Sequence, residues 1–160
     1  MAFRKILVAL DRSEHASDLV EQAIDLAHRE DSELHLMSCL QWAPSFQRES
    51  FGGLGAVPAF ELPTIDMEML QSELRRLQEM LEGYQAQAQT LEIKTTIAYD
   101  LGDPGTLICT QAKDWGADLV LLGRRGRSGL SELLMGSVSN FVLHHAPCSV
   151  LVVQGQVPNV

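Results

Sequence analysis

The segment from Ala117 to Val153 constrains the fold more than any other part of the chain. Its apolar run, Leu119-Val120-Leu121-Leu122, stops at Gly123 and is too short for a buried helix. It reads as a strand buried on both faces. A loop rich in glycine and arginine follows, and Gly136-Ser137 then leads into the helical spacing of Val138, Phe141, Val142 and His145. Beyond Pro147, Ser149-Val150-Leu151-Val152-Val153 reads as a second strand. Strand, glycine loop, helix and strand make a βαβ unit, and a loop in that position is of the kind that receives a phosphate.

The rest of the chain repeats the alternation. Lys5 to Leu10 is a short apolar run that ends in the polar Asp11-Arg12-Ser13. A helix follows, with Ala16, Leu19, Val20, Ala23, Ile24 and Ala27 on one face. Asp11 stands where a helix N-cap would, at the same strand edge where α/β sheets bind ligands. Ser32 to Leu40 reads as a second strand with Leu34, Leu36 and Cys39 inward, and His35 as a core or edge histidine with satisfied partners. Ile65 to Gln89 carries an apolar stripe of Met67, Leu70, Leu74, Leu77, Leu81 and Tyr84. Barely three heptads favour packing on a sheet over a coiled-coil seam. Glu92 to Ala98 is the third strand, and Asp103-Pro104 caps a helix that Gly116 closes. The expectation is one α/β domain over residues 1–160, an open, doubly wound, parallel five-stranded sheet. Residues 41–64, with their prolines, glycines and aromatics, form an irregular insert that reads as a flexible flap.

The glycines decide between kinds of phosphate loop. They fall at 123, 126, 129 and 136, which is not Gly-x-Gly-x-x-Gly, and none of Lys5, Lys94 and Lys113 follows a glycine as a P-loop requires. The pattern Gly123-x2-Gly126-x9-Gly136-Ser137 resembles the nucleotide-binding signature of the universal stress protein family. The resemblance runs from Lys5-Ile-Leu-Val-Ala-Leu-Asp11 to the terminal Ser149-to-Val153 strand. It implies an adenine nucleotide alpha hydrolase-like fold with strand order 3-2-1-4-5. It also implies an adenine nucleotide, ATP or ADP or AMP, held by Asp11, Cys39, Leu122, Gly123, Arg124, Gly126, Arg127, Gly136, Ser137 and Val138. Further implications are a stress-response binding and signalling role, and a homodimer paired through strand 149–153.

The residues add their own reasons. Gly126 can take positive φ and turn successive N–H groups inward, and Gly136 removes bulk before a helix whose first N–H groups lack partners. Ser137 suits the N-cap, or its hydroxyl reaches a phosphate oxygen. Net charge is −9, which repels nucleic acid and anionic membranes, yet Arg124, Arg125 and Arg127 cluster in this one loop. A Mg²⁺ ion would bridge the phosphates, since no cluster of carboxylates is available to hold it alone, and no His or Cys pair has ligand spacing for zinc. Two alternatives stay open: a slow ATPase, for which Glu132 is the only acid within the loop, and a relative that binds no nucleotide. No catalytic nucleophile with a base is evident. The three scattered cysteines, Cys39, Cys109 and Cys148, read as small buried hydrophobes in a reducing compartment. With no transmembrane stretch and an N-terminus that runs straight into a strand, the expectation is a cytoplasmic protein without a signal peptide.

Overall fold

The computed structural model describes residues 3–41, 66–124 and 135–154. The expected flap at 41–64, apart from Gln41, lies outside the described residues, as do Arg125, Gly126, Arg127 and Glu132. Chain order is β1 (Lys5–Leu10), α1 (Ala16–Glu30), β2 (Glu33–Leu40), α2 (Met67–Gln89), β3 (Thr95–Leu101), α3 (Pro104–Trp115), β4 (Leu119–Gly123), α4 (Ser137–His145) and β5 (Ser149–Val153). The strands form one sheet in the order β3-β2-β1-β4-β5, and each neighbouring pair is parallel.

Two-residue alternation along the strands feeds two cores. Ile6, Val8, Leu34, Leu36, Leu119 and Leu121 point to the face covered by Leu19, Val20 and Ile24 of α1 and by Leu81 and Ala88 of α2. Leu7, Met37, Val120 and Leu122 point to the other face, under Ile108 and Ala112 of α3 and Val142 of α4. Each fully buried aliphatic contributes about 1.5–3 kcal/mol, so both faces drive folding, and the central strands read as continuous apolar runs for that reason. Where α3 meets α4 the packing is tight: a Cβ on Gly105 would lie 2.6 Å from Cδ1 of Phe141.

Several local expectations shift. Of the α2 stripe, Leu77 and Leu81 are buried, but Met67 is 57% exposed. A helix of 23 residues runs for about 34 Å. The seven residues of β3 span only about 23 Å, so the first turns of α2 overhang the sheet. The third strand begins at Thr95 rather than Glu92. Glu92 takes a positive φ of 59°, and Glu92 and Ile93 donate back to the end of α2; the ladder with β2 starts only at Leu34↔Thr95. At the end of α1, Asp31 is the left-handed C-cap and Ser32 N–H still donates to Ala27 O, so β2 opens at Glu33. The cysteines are half-buried rather than sealed, and all three are free thiols. Among the described residues, no helix is long and apolar enough to cross a membrane.

Candidate functional site

β1 hands the chain to α1 on one face of the sheet, and β4 hands it to α4 on the other. The strand order reverses between them, and a crevice opens at their C-terminal ends. It forms a cleft of about 410 Å³, the size of a small-molecule site. Ala9, Met37, Cys39, Ile108, Leu122 and Val138 make an apolar wall; Asp11, Arg12, Ser13 and His15 supply polar groups; Gly123, Gly136, Ser137 and Ser139 line the remainder.

Of the residues expected at a site, Asp11, Cys39, Leu122, Gly123, Gly136, Ser137 and Val138 therefore meet at one cleft although they come from four separate elements. Arg124 forms the base of the glycine loop instead. Its N–H donates to Val153 O at 2.8 Å, and its carbonyl accepts from Gly136 N–H at 2.9 Å. Gly126 and Arg127 lie outside the described residues.

Two capping expectations change. Gly136, not Ser137, is the N-cap of α4, with no side-chain cap bond; Ser137 is the first helical residue. The opening N–H groups of α4 thus start beside a glycine that offers no capping side chain, at residues that line the cleft. Asp11 does not cap α1 either. Its Oδ1 accepts from Ser13 N–H at 3.1 Å and from Ser13 Oγ at 2.6 Å.

Electrostatics separate the groups in the cleft. Burial, aided by the nearby carboxylates of Asp100 and Asp103, pushes the Cys39 thiol up to about 11. It stays protonated at neutral pH and serves as apolar wall, not as a nucleophile. Arg12 pairs with Glu73 of α2, and the same carboxylate accepts from Arg76 at 2.9 Å, which ties the β1 end of the cleft to α2. Among the described residues, no group of three or more His, Cys, Asp or Glu side chains could hold a metal ion.

The universal stress protein family model matches residues 2–154. The chain belongs to the universal stress protein family. Among curated relatives, universal stress protein Sll1388 of Synechocystis is 40% identical over 161 residues, covering 96% of this chain and 99% of its own. Among solved structures, universal stress protein UspA from Lactobacillus plantarum superimposes with a TM-score of 0.78 at 23% identity, over 96% of this chain and 99% of that one. Two further family structures share the fold with ligands present: one in complex with cAMP (TM-score 0.63, 18% identity, 98% of this chain and 100% of that chain), and one from Arabidopsis thaliana with AMP bound (TM-score 0.61, 18% identity, 96% and 93%).

Three cleft-side serines carry contacts that sequence reasoning did not assign. Ser139, 3% exposed, donates its hydroxyl to Gly123 O at 2.7 Å and so fastens the first turn of α4 to the end of β4. Ser38, 2% exposed, donates to Leu10 O at 2.8 Å. Ser13 holds Asp11. The available signal for Ser38 was a polar residue inside an apolar strand; Ser139 lies in the helical run directly after the glycine motif.

Proposed function

We propose that this universal stress protein binds an adenine nucleotide, ATP or its diphosphate or monophosphate, in the cleft between β1 and β4, and acts as a binding and signalling module in the stress response. The observation that carries the reading is the convergence of Asp11 with the N-terminus of α4, whose N-cap is Gly136, on one apolar-walled cleft. The parts suit the parts of a nucleotide. The wall of Ala9, Met37, Leu122 and Val138 offers a flat apolar surface to a purine. Asp11 offers an acceptor to ribose hydroxyls. Gly123, Gly136, Ser137 and the first N–H groups of α4 face the phosphates, where a helix N-terminus favours negative charge. Arg124, Gly126 and Arg127 would complete that side from the loop. The AMP and cAMP complexes of family members support the ligand class. A Mg²⁺ ion would enter on the phosphates, since the described residues offer no carboxylate cluster to hold it alone.

Millimolar ATP tests the reading. At about 100 times Kd, linkage stabilises the folded state by about 2.7 kcal/mol, a Tm rise of about 5–10 °C. A thermal scan without any rise counts against the assignment.

The protein is further proposed to pair through β5 as a homodimer. β5 is an edge of the sheet and its Leu151 is 45% exposed, the kind of edge that recruits another strand. Val153 O faces β4, where it accepts from Arg124 N–H. Neighbouring residues alternate in direction along a strand, so the Val152 N–H points to the free edge. Val152→Pro removes that donor without touching the β4–β5 ladder and is expected to shift a dimer toward monomer in light scattering; a monomeric wild type at about 100 μM, well above a micromolar Kd, contradicts the pairing. The free thiols support a reducing, cytoplasmic setting.

A further inference from the structure

Asp11 and Ser13 stand just ahead of α1, where Asp and Ser ordinarily cap a helix by accepting from its first N–H groups. Neither does so. The N-cap is His15, with no side-chain cap bond, and Ser13 turns both of its donors onto Asp11. Its N–H at 3.1 Å and its hydroxyl at 2.6 Å converge on the same oxygen, Oδ1. The backbone just before Asp11 is held as well: Ser38, buried in β2, donates to Leu10 O at 2.8 Å, opposite it in the parallel register. One carboxylate oxygen of Asp11 is saturated, and Oδ2 receives no hydrogen bond from the described residues. The carboxylate cannot exchange its two oxygens without breaking both bonds to Ser13. On a residue that lines the cleft, Oδ2 is therefore the acceptor left for a ligand, suited to a hydroxyl hydrogen and repelled by phosphate.

We infer that Ser13 is a positioning residue, with Ser38 bracing the backbone, that holds Asp11 as a hydroxyl acceptor and makes the cleft select a ribose nucleotide over its deoxyribose counterpart. The inference rests on the adenine-nucleotide reading above. Preorganisation is the reason the effect is selective. Loss of the Ser13 hydroxyl leaves Oδ1 only the longer bond from the residue-13 N–H, which loosens the Asp11 carboxylate and weakens the contact to the sugar hydroxyl, while contacts to base and phosphates are made by other residues and persist.

Titration calorimetry with ATP, 2′-deoxy-ATP and 3′-deoxy-ATP tests this on wild type, Ser13→Ala, Ser13→Thr, Asp11→Ala and the Asp11→Ala/Ser13→Ala double variant. Wild type is expected to prefer ATP over at least one deoxy analogue by roughly ten-fold, as for a hydrogen bond to a charged acceptor. Ser13→Ala should erase most of that preference, lowering ATP affinity more than deoxy affinity; Ser13→Thr should restore it. The double variant should bind ATP no more weakly than Asp11→Ala alone, because Ser13 acts through Asp11. Absence of ATP binding by the wild type would overturn the nucleotide reading and this inference together. ATP binding with no ribose preference in the wild type, with the preference intact in Ser13→Ala, or with equal loss for ATP and the deoxy analogue, would overturn the inference alone.

Discussion

The N-terminal end of the sheet and the cleft at its C-terminal end treat their polar groups differently. At the N-terminal end, groups are paired within the protein. Asp118 Oδ2 accepts from the N–H of Arg4 at 2.9 Å and of Lys5 at 3.0 Å, and Lys5 Nζ donates to Trp115 O at 3.0 Å while lying over its ring. His35, stacked on Trp115, meets Thr96 Oγ1 through Nδ1 at 2.7 Å and Gln111 Nε2 through Nε2 at 3.1 Å. At the C-terminal end, Asp66 and Asp103 cap α2 and α3, but at the cleft the N-caps of α1 and α4 give no side-chain cap bond, and among the described residues Asp11 is bonded through one oxygen only. Buried polar groups without partners are costly, so a fold keeps such groups open where a ligand or solvent can meet them. The closed end is scaffold; the open end is the site.

Closing the open end should have the largest effect. Gly136 has φ −59° and ψ 151°, a conformation open to any residue, and aspartate is a favoured N-cap. Gly136→Asp is expected to cap α4 with its own carboxylate, keep or slightly raise Tm, and repel phosphate by about 4 kcal/mol at 4 Å in a medium of intermediate polarity. ATP affinity measured by calorimetry should fall more than about 100-fold. Retained affinity would place the phosphates away from α4.

Opening the closed end should do the reverse. Asp118→Ala deprives the Arg4 and Lys5 N–H groups of a charged acceptor, at a cost of about 1–2 kcal/mol, or about 2–8 °C in Tm for a chain of this size. Nucleotide affinity should not change once binding is measured below the new transition. A variant that loses affinity but not stability would erase the distinction between the two ends.

Ser139→Ala probes the brace inside the open end. Loss of its bond to Gly123 O loosens the junction of β4 and α4, and ATP affinity is expected to fall roughly ten-fold, about 1.4 kcal/mol. Adenosine affinity, which lacks the phosphate contribution, should fall less. Equal losses would make Ser139 a general packing residue.

The smallest effect belongs to acid. Burial lowers the pKa of His35 from its ordinary 6.5, so the fold favours the neutral ring; an imidazolium would also turn a donor toward the Gln111 amide nitrogen. Stability from this residue is fully present above the unfolded value and is lost as pH falls through 6.5 toward the lower folded value. The slope is at most about 1.4 kcal/mol per pH unit. Thermal scans from pH 7.5 to 5 should show that decline in wild type and a flatter one in His35→Gln; identical curves would remove His35 from the closed end.

The order of strands and helices was legible in the sequence because each rests on short-range pattern. A two-sided apolar run, a helical stripe and a closing Gly116 act within a dozen residues, and alternating strands and helices leave few parallel topologies. The residues that meet at the cleft were legible through the spacing of Gly123 and Gly136 and through Asp11 at a strand end. What those residues bond to was not legible. Ser137 and Asp11 both looked like caps, since capping is the local choice for such side chains. Only the folded chain brings Gly123 O within 2.7 Å of Ser139 Oγ, Leu10 O within 2.8 Å of Ser38 Oγ, and Asp118 against Arg4, 114 residues away. Hydrogen bonds depend on distance and angle in space, and a partner far along the chain leaves no periodic mark in the sequence. Periodicity set the elements of this protein; tertiary packing decided which of its polar groups are closed and which stay open to a ligand.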